Sequence, residues 1–133
     1  MSDHELERIR LRKAEMLLKQ KSTPKGIIKI QDENEFNKLL TDFPQKIVII
    51  DFWAVWCGPC KIFAPVFEKL HQEYQHEFLF VKINVDDNPN IALKYGVSSI
   101  PTTVFLKGGI LLKSIVGSVN YTALKPILEQ LKL

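Results

Sequence analysis

One stretch of this sequence constrains the fold more than any other: a run of apolar residues that leads directly into a pair of cysteines. The run covers residues 46–53, and after its first residue it contains a single charged side chain, Asp51. Such a run is typical of a strand buried on both faces of a sheet. Cys57-Gly58-Pro59-Cys60 follows at once and holds both cysteines of the 133-residue chain. Because Gly-Pro favours a tight turn and Pro suits the first position of a helix, we expect a central strand, a turn and then a helix.

The rest of the sequence predicts alternating strands and helices. The predicted strands are residues 27–30, 46–53, 78–85, 102–107 and 110–116, and the predicted helices are residues 33–42, 59–74, 89–95 and 120–131. Asp32 is suited to cap the first of these helices, and Gly108-Gly109 is a hairpin signal between the last two strands. This order predicts an α/β fold in which a central mixed sheet of about five strands is flanked by about four helices.

An N-terminal segment precedes this pattern. Residues 3–21 are good helix formers, and residues 22–26 break the pattern, so we expect an N-terminal helical extension over residues 1–25 and one domain over residues 26–133. The formal net charge of +3 falls on residues 1–25, which leaves a neutral domain that does not suit nucleic-acid binding. No apolar run is long enough to span a membrane, and the first residues contain no apolar signal core. We therefore expect a cytoplasmic protein that binds neither nucleic acid nor membrane.

Two cysteines at this spacing can form a structural disulfide, bind a metal or carry redox chemistry. A chain of this size can form a core without a structural disulfide. The sulfur of Cys57 would face the free N–H groups at the start of a helix, which favour the thiolate form, so Cys57 is the predicted nucleophile. Cys60 lies one turn further on. We expect Cys60 to be more buried than Cys57. After Cys57 has formed a mixed disulfide with a substrate, we expect Cys60 to attack Cys57 and release the reduced substrate.

Asp51 is the charged residue inside the buried run. Desolvation raises the pKa of a buried carboxyl group, so Asp51 is a suitable general base for Cys60. The alternative is that Asp51 faces solvent from an edge strand.

Metal binding is the main chemical alternative. Cys57, Cys60, His71 and His76 approach the spacing of a Cys2His2 zinc site. In a zinc finger, however, the cysteines lie on a hairpin, whereas Cys60 here is expected to begin a helix. An iron–sulfur cluster would need further cysteines. We expect neither a metal nor a bound cofactor, and we expect the Cys57–Cys60 disulfide itself to be the redox group.

The sequence around the cysteines closely resembles the active-site region of the thioredoxin family. The resemblance covers about residues 27–133 and is carried by residues 48–61, Phe63-Ala64-Pro65, Lys82, Asp86, Tyr95-Gly96-Val97, Ser99-Ile100-Pro101-Thr102, Phe105 and Val116-Gly117. It implies that Lys82 tunes Asp51 and that Pro101 is a cis-proline opposite the cysteine pair. It also implies an active-site turn at Gly58 and Pro59 and a client-docking surface formed by Trp56, Pro59, Ile100 and Gly117. Val55 and Ser98-Ser99 depart from common versions of the pattern, which leaves the choice of partner open.

These features predict a monomeric protein-disulfide reductase that acts on client proteins with disulfides and is itself reduced by a thioredoxin reductase. One alternative is a disulfide isomerase or oxidant. A second, from a different class, is a binding subunit that uses the fold as a docking surface.

Overall fold

The five predicted strands form one mixed sheet in the computed structural model, which describes residues 2–10 and 23–132. The strands are β1 (Ile28–Ile30), β2 (Ile47–Trp53), β3 (Phe78–Asn84), β4 (Thr102–Lys107) and β5 (Ile110–Val116). Their order across the sheet is β1-β3-β2-β4-β5, with β1, β3 and β2 parallel and β4 antiparallel to both β2 and β5. The apolar run therefore forms the middle strand. The alternative that Asp51 lies on an edge strand is wrong.

Four helices flank the sheet, and a fifth helical stretch lies near the N-terminus. The flanking helices are α2 (Glu33–Asp42), α3 (Gly58–Tyr74), α4 (Pro89–Lys94) and α5 (Tyr121–Leu131), while α1 denotes the helical residues 3–10. Asp32 caps α2 as predicted, since its side chain accepts a hydrogen bond from the Glu35 N–H at 2.8 Å. Asn120 caps α5 in the same way, with the Ala123 N–H as donor at 2.9 Å. The α/β fold class is confirmed, and the boundaries of the five strands and of α2 to α5 differ from the predicted ones by one residue at most.

The sheet separates two apolar clusters. One face packs against α2 and α4 through Phe36, Leu39 and Ile91, and the other packs against α3 and α5 through residues that include Phe67 and Leu128. Side chains alternate along a strand, and Ile49 of β2 belongs to the α3 and α5 side. Asp51, two residues further on, therefore faces the same side, below the helix that begins at the cysteine pair.

The predicted hairpin between β4 and β5 turns at Gly108 and Gly109. Both residues have a positive φ, 58° and 79°, which glycine adopts without steric cost. This turn returns the chain so that Gly117, just after β5, lies beside Pro101, just before β4; the Gly117 N–H donates to the Pro101 carbonyl at 2.7 Å.

The N-terminal extension is described in part. Residues 2–10 are all exposed, and the predicted helical residues 11–21 lie outside the described residues. The domain boundary near residue 25 stays a prediction. Across residues 2–10 and 23–132, the helices are too short or too polar to cross a membrane.

Candidate active site

The two cysteines lie where the middle strand gives way to a helix. Cys57 is the N-cap of α3 and Cys60 is in its first turn, and the two sulfurs form a disulfide. The Cys60 N–H donates to Cys57 Sγ at 3.2 Å, so the sulfur receives one of the free N–H groups of the helix start. The residues are equally buried, with 3% and 4% exposed, so the expectation that Cys60 is the more buried one is not met in the disulfide form.

The segment around Pro101 lies against the cysteine pair. The Ile100-Pro101 peptide bond is cis, as the resemblance implied. The carbonyl oxygen of Ile100 lies 3.8 Å from Cys57 Sγ, and Ile100 packs against the small cluster of Ala54, Cys57 and Cys60. The structure thus brings Ile100 and Pro101 next to the cysteine pair, although more than 40 residues separate them in the sequence.

Exposed apolar side chains surround the disulfide. Trp56 is 70% exposed and Val55 is 66% exposed, both in the turn before α3. The indole Nε1–H of Trp56 donates to Asp86 Oδ2 at 2.8 Å, which fixes the ring at the edge of the site. Asp86 is a residue to which sequence reasoning assigned no role. Its one signal was its place in the family resemblance, just after a predicted strand.

Asp51 is fully buried in the middle of the sheet. Burial raises its pKa from 3.8 to about 6, and the nearby Lys82 ammonium partly opposes this rise. Lys82 Nζ lies 3.9 Å from Asp51 Oδ2 and 5.1 Å from the centre of the Trp53 ring. Lys82 lies on the inner strand β3, and its side chain is 19% exposed.

A cleft of about 330 Å³ connects these groups. Its lining residues are Trp53, Ala54, Val55, Cys60, Lys61, Ala64 and Lys82. Cys60 and Lys82, whose ammonium group lies next to Asp51, therefore line the same cleft.

Thr103 of β4 is another buried polar residue near this site, and the sequence analysis assigned it no role. It is 1% exposed and lies directly opposite Asp51 in the β2–β4 ladder. Its sequence signal is weak, because threonine is common in strands and the pairing of β2 with β4 was not predicted residue by residue.

The histidines of the zinc alternative are not part of this site. His71 lies in α3 and packs edge-on against Phe80, with 5.4 Å between the ring centres, and burial lowers its pKa. His76 follows the end of α3, where its carbonyl accepts from Lys46 Nζ at 3.2 Å. Among the described residues, no group of three or more His, Cys, Asp or Glu side chains is placed to hold a metal ion.

A Cys-x-x-Cys disulfide that caps a helix after the middle strand of a mixed sheet defines the class of thiol–disulfide oxidoreductases. The family model for thioredoxin matches residues 27–130. The chain belongs to the thioredoxin family. Its protein-disulfide reductase activity follows from this membership and from the redox pair.

Individual relatives agree with this assignment. Thioredoxin 1 of Nostoc sp. is 46% identical over 83 residues, which is 62% of this chain and 78% of the relative. Thioredoxin NaTrxh from Nicotiana alata, a crystal structure, is 33% identical with a TM-score of 0.71 over 82% of this chain and 96% of the other. A further structure concerns the thiol resolving mechanism in yeast mitochondrial 1-Cys peroxiredoxin via glutathione/thioredoxin systems. The matched chain of that structure is 38% identical to this protein, with a TM-score of 0.69, and the match covers 82% of this chain and 99% of the other.

Proposed function

We propose that this oxidoreductase is a cytoplasmic, monomeric electron carrier that reduces disulfides of client proteins and is itself reduced by a thioredoxin reductase. The observation that carries the proposal is the Cys57–Cys60 disulfide, which caps α3 above the buried Asp51. The pair is itself the redox group, so the exchange needs no bound cofactor.

The reaction begins with the reduced pair. The Cys57 thiolate attacks one sulfur of a client disulfide, so that a Cys57–client bond forms, the client S–S bond breaks, and the second client sulfur leaves as a thiolate and takes up a proton. The N–H group of Cys60 supports this role of Cys57, because it already donates to Cys57 Sγ in the oxidised form.

The second step resolves the mixed disulfide. Cys60 loses its proton to Asp51 and attacks Cys57 Sγ, so that the Cys57–client bond breaks and the Cys57–Cys60 disulfide re-forms. The client sulfur leaves as a thiolate and takes up a proton, which completes the client dithiol. A carboxyl group with a pKa of about 6 is mostly ionised at pH 7, so it can accept this proton. Lys82, at 3.9 Å, favours the ionised form. Two electrons pass to the client, and the reductase returns two electrons to the disulfide.

Client docking is assigned to the exposed apolar rim. Trp56 is exposed and is held by Asp86. Ile100 and Gly117 are half-buried and Pro101 is buried, and the Ile100 carbonyl lies next to Cys57 Sγ. The backbone of Ile100 is proposed to pair with an extended client segment, as the family resemblance implies, and Pro59 completes the rim. Because backbone bonds and apolar contacts read few side chains, this surface accepts many client sequences.

Two cysteine variants test the reaction. Cys57→Ser is expected to abolish reduction of insulin disulfides in an assay driven by a thioredoxin reductase. Cys60→Ser keeps the nucleophile and loses the resolving thiol, so it is expected to accumulate mixed disulfides on Cys57 in a cell extract. Activity retained by Cys57→Ser would exclude the nucleophile assignment. Client binding that survives with no disulfide exchange would favour the binding-subunit alternative.

A redox titration against glutathione separates a reductant from an isomerase or oxidant. Thioredoxin itself has a reduction potential of about −270 mV, compared with about −180 mV for protein disulfide isomerase. We expect this protein to equilibrate near the first value. The compartment and the oligomeric state are tested by fractionation of cells and by sedimentation of the purified chain.

A further inference from the structure

Two buried polar side chains meet in the middle of the sheet. Among the described residues, the buried side-chain oxygens without a direct hydrogen-bond partner are Asp51 Oδ1, Asp51 Oδ2 and Thr103 Oγ1. Asp51 and Thr103 are direct partners in the antiparallel β2–β4 ladder. Such partners have Cβ atoms about 4.5–5.5 Å apart on the same face of the sheet. Because a buried polar group without a partner is costly, the meeting of these two groups calls for a physical reason.

The residues on the two sides of Asp51 in the sheet differ in polarity. Lys82 faces Asp51 from β3, and Lys29 of β1 lies beyond it in the same row. On the other side, the next residue after Thr103 in this row is the apolar Ile115 of β5. From α3, Cys60 and Lys61 line the cleft that Lys82 also lines, whereas α5 contributes apolar side chains to the cluster on this face. On the β4 side of Asp51, the directly paired residue carries a hydroxyl group, whereas the next residue in the row and the α5 side chains on this face are apolar.

We propose that Thr103 is a positioning residue for Asp51: rotation about the Cα–Cβ bond of Thr103 brings its hydroxyl group into a hydrogen bond with the carboxyl group, directly or through one water. This inference rests on the proposed role of Asp51 as the general base. A hydroxyl group donates to an ionised carboxylate and accepts from a protonated carboxyl group. The contact therefore persists through proton uptake from Cys60 and holds the carboxyl group in one orientation.

The neighbouring threonine provides a matched control. Thr102 points to the opposite face of the sheet because side chains alternate along β4, and its hydroxyl donates to the Ser99 carbonyl at 2.6 Å. Thr102 and Thr103 are both 1% exposed. Removing either hydroxyl makes the same chemical change at the same depth, next to Asp51 in one case and remote from it in the other.

The direct test is a titration of the Asp51 carboxyl carbon by NMR in the oxidised protein. A hydrogen bond to an ionised carboxylate favours the ionised form, so Thr103→Val is expected to raise the pKa of Asp51 by about 1 relative to the parent protein. Thr103→Ser keeps a hydroxyl group and is expected to leave this pKa close to that of the parent protein. Thr102→Val is expected to leave it unchanged.

The rate of client reduction provides a second readout. A rise of about 1 in the pKa of Asp51 lowers its ionised fraction about fivefold at a pH equal to the parent pKa, and by less than about a tenth at a pH two units higher. Thr103→Val is therefore expected to slow reduction about fivefold at the first pH and to have almost no effect at the second. A purely structural role would change the rate equally at both pH values.

An unchanged pKa in Thr103→Val, especially with a higher melting temperature, would show that the hydroxyl was an unpartnered buried group and would overturn the proposal. If Thr103→Val does not fold, Thr103→Ala also lacks the hydroxyl and has to show the raised pKa. The role of Asp51 is tested separately by the rate of Asp51→Asn. An unchanged rate would refute the general base, while the NMR titration would still decide whether Thr103 bonds to the carboxyl group.

Discussion

Replacing Asp51 by Asn is expected to stabilise the protein at neutral pH, although it removes the proposed general base. The carboxyl group is fully buried, and neither of its oxygens has a direct hydrogen-bond partner in the described part of the chain. Ionising this carboxyl group in its buried site costs free energy. Ionising it in the unfolded chain, where water solvates the carboxylate, does not carry this cost. Asn has the same shape and no charge, so the variant avoids this cost.

The pKa of Asp51 sets the size of the effect. A rise from 3.8 in the unfolded chain to about 6 in the fold corresponds to about 3 kcal/mol, at about 1.4 kcal/mol for each pKa unit. Between these two pKa values the folded state binds more protons than the unfolded state, so the stability of the parent protein falls as pH rises from about 4 to about 6. Below this window Asp51 is protonated in both states. Asp51→Asn should therefore gain almost nothing at pH 3.5 and about 3 kcal/mol at pH 7.

Urea unfolding of the oxidised protein, followed by circular dichroism at a series of pH values, measures this difference. Asp87→Asn makes the same chemical change at an exposed position and is expected to alter the free energy of unfolding by less than about 0.5 kcal/mol at any pH. An equal gain at pH 3.5 and pH 7, or a loss at pH 7, would show that desolvation of the Asp51 carboxylate is not the cause.

Three further predictions concern the surroundings of the site. Lys82→Met removes the ammonium group 3.9 Å from Asp51 and should raise the pKa of Asp51 above about 6, which the NMR titration measures; a lowered pKa would contradict the proposed tuning. Phe67→Ala, at a site 1% exposed, should lower the free energy of unfolding by about 3–5 kcal/mol in urea, whereas Ile62→Ala, at a site 71% exposed, should change it little; similar losses would argue against the packing of α3. Deletion of residues 1–24 should leave the rate of insulin reduction nearly unchanged, since residues 2–10 are exposed, and a large fall in melting temperature would show that the extension belongs to the core.

The helices, strands and chemistry of the cysteine pair could be predicted because their causes are local. The apolar run of β2, the Gly-Pro turn and the cap at Asp32 act within a few residues of where they stand in the chain. Asp51 was recognisable as a buried carboxyl group for the same reason, because its neighbours on both sides are apolar. The family resemblance then supplied Lys82 and Pro101, for which no local pattern exists.

The relative placement of distant residues could not be read in this way. Ile100 packs against Cys57, and the bond from Trp56 to Asp86 orients the indole ring; these pairs are 43 and 30 residues apart. The register that sets Thr103 against Asp51 depends on how β2 and β4 pair along their whole length. A shift of one residue would turn Thr103 to the other face.

The sequence by itself thus determined the reaction, since a Cys-x-x-Cys turn after a buried strand carries its chemistry within one segment. The tertiary structure alone decided what surrounds that segment: the carbonyl above Cys57, the ammonium and hydroxyl groups beside Asp51, and the carboxylate that holds Trp56. Hydrogen bonds and desolvation act over a few ångströms in space, and only the folded sheet brings these residues within that distance.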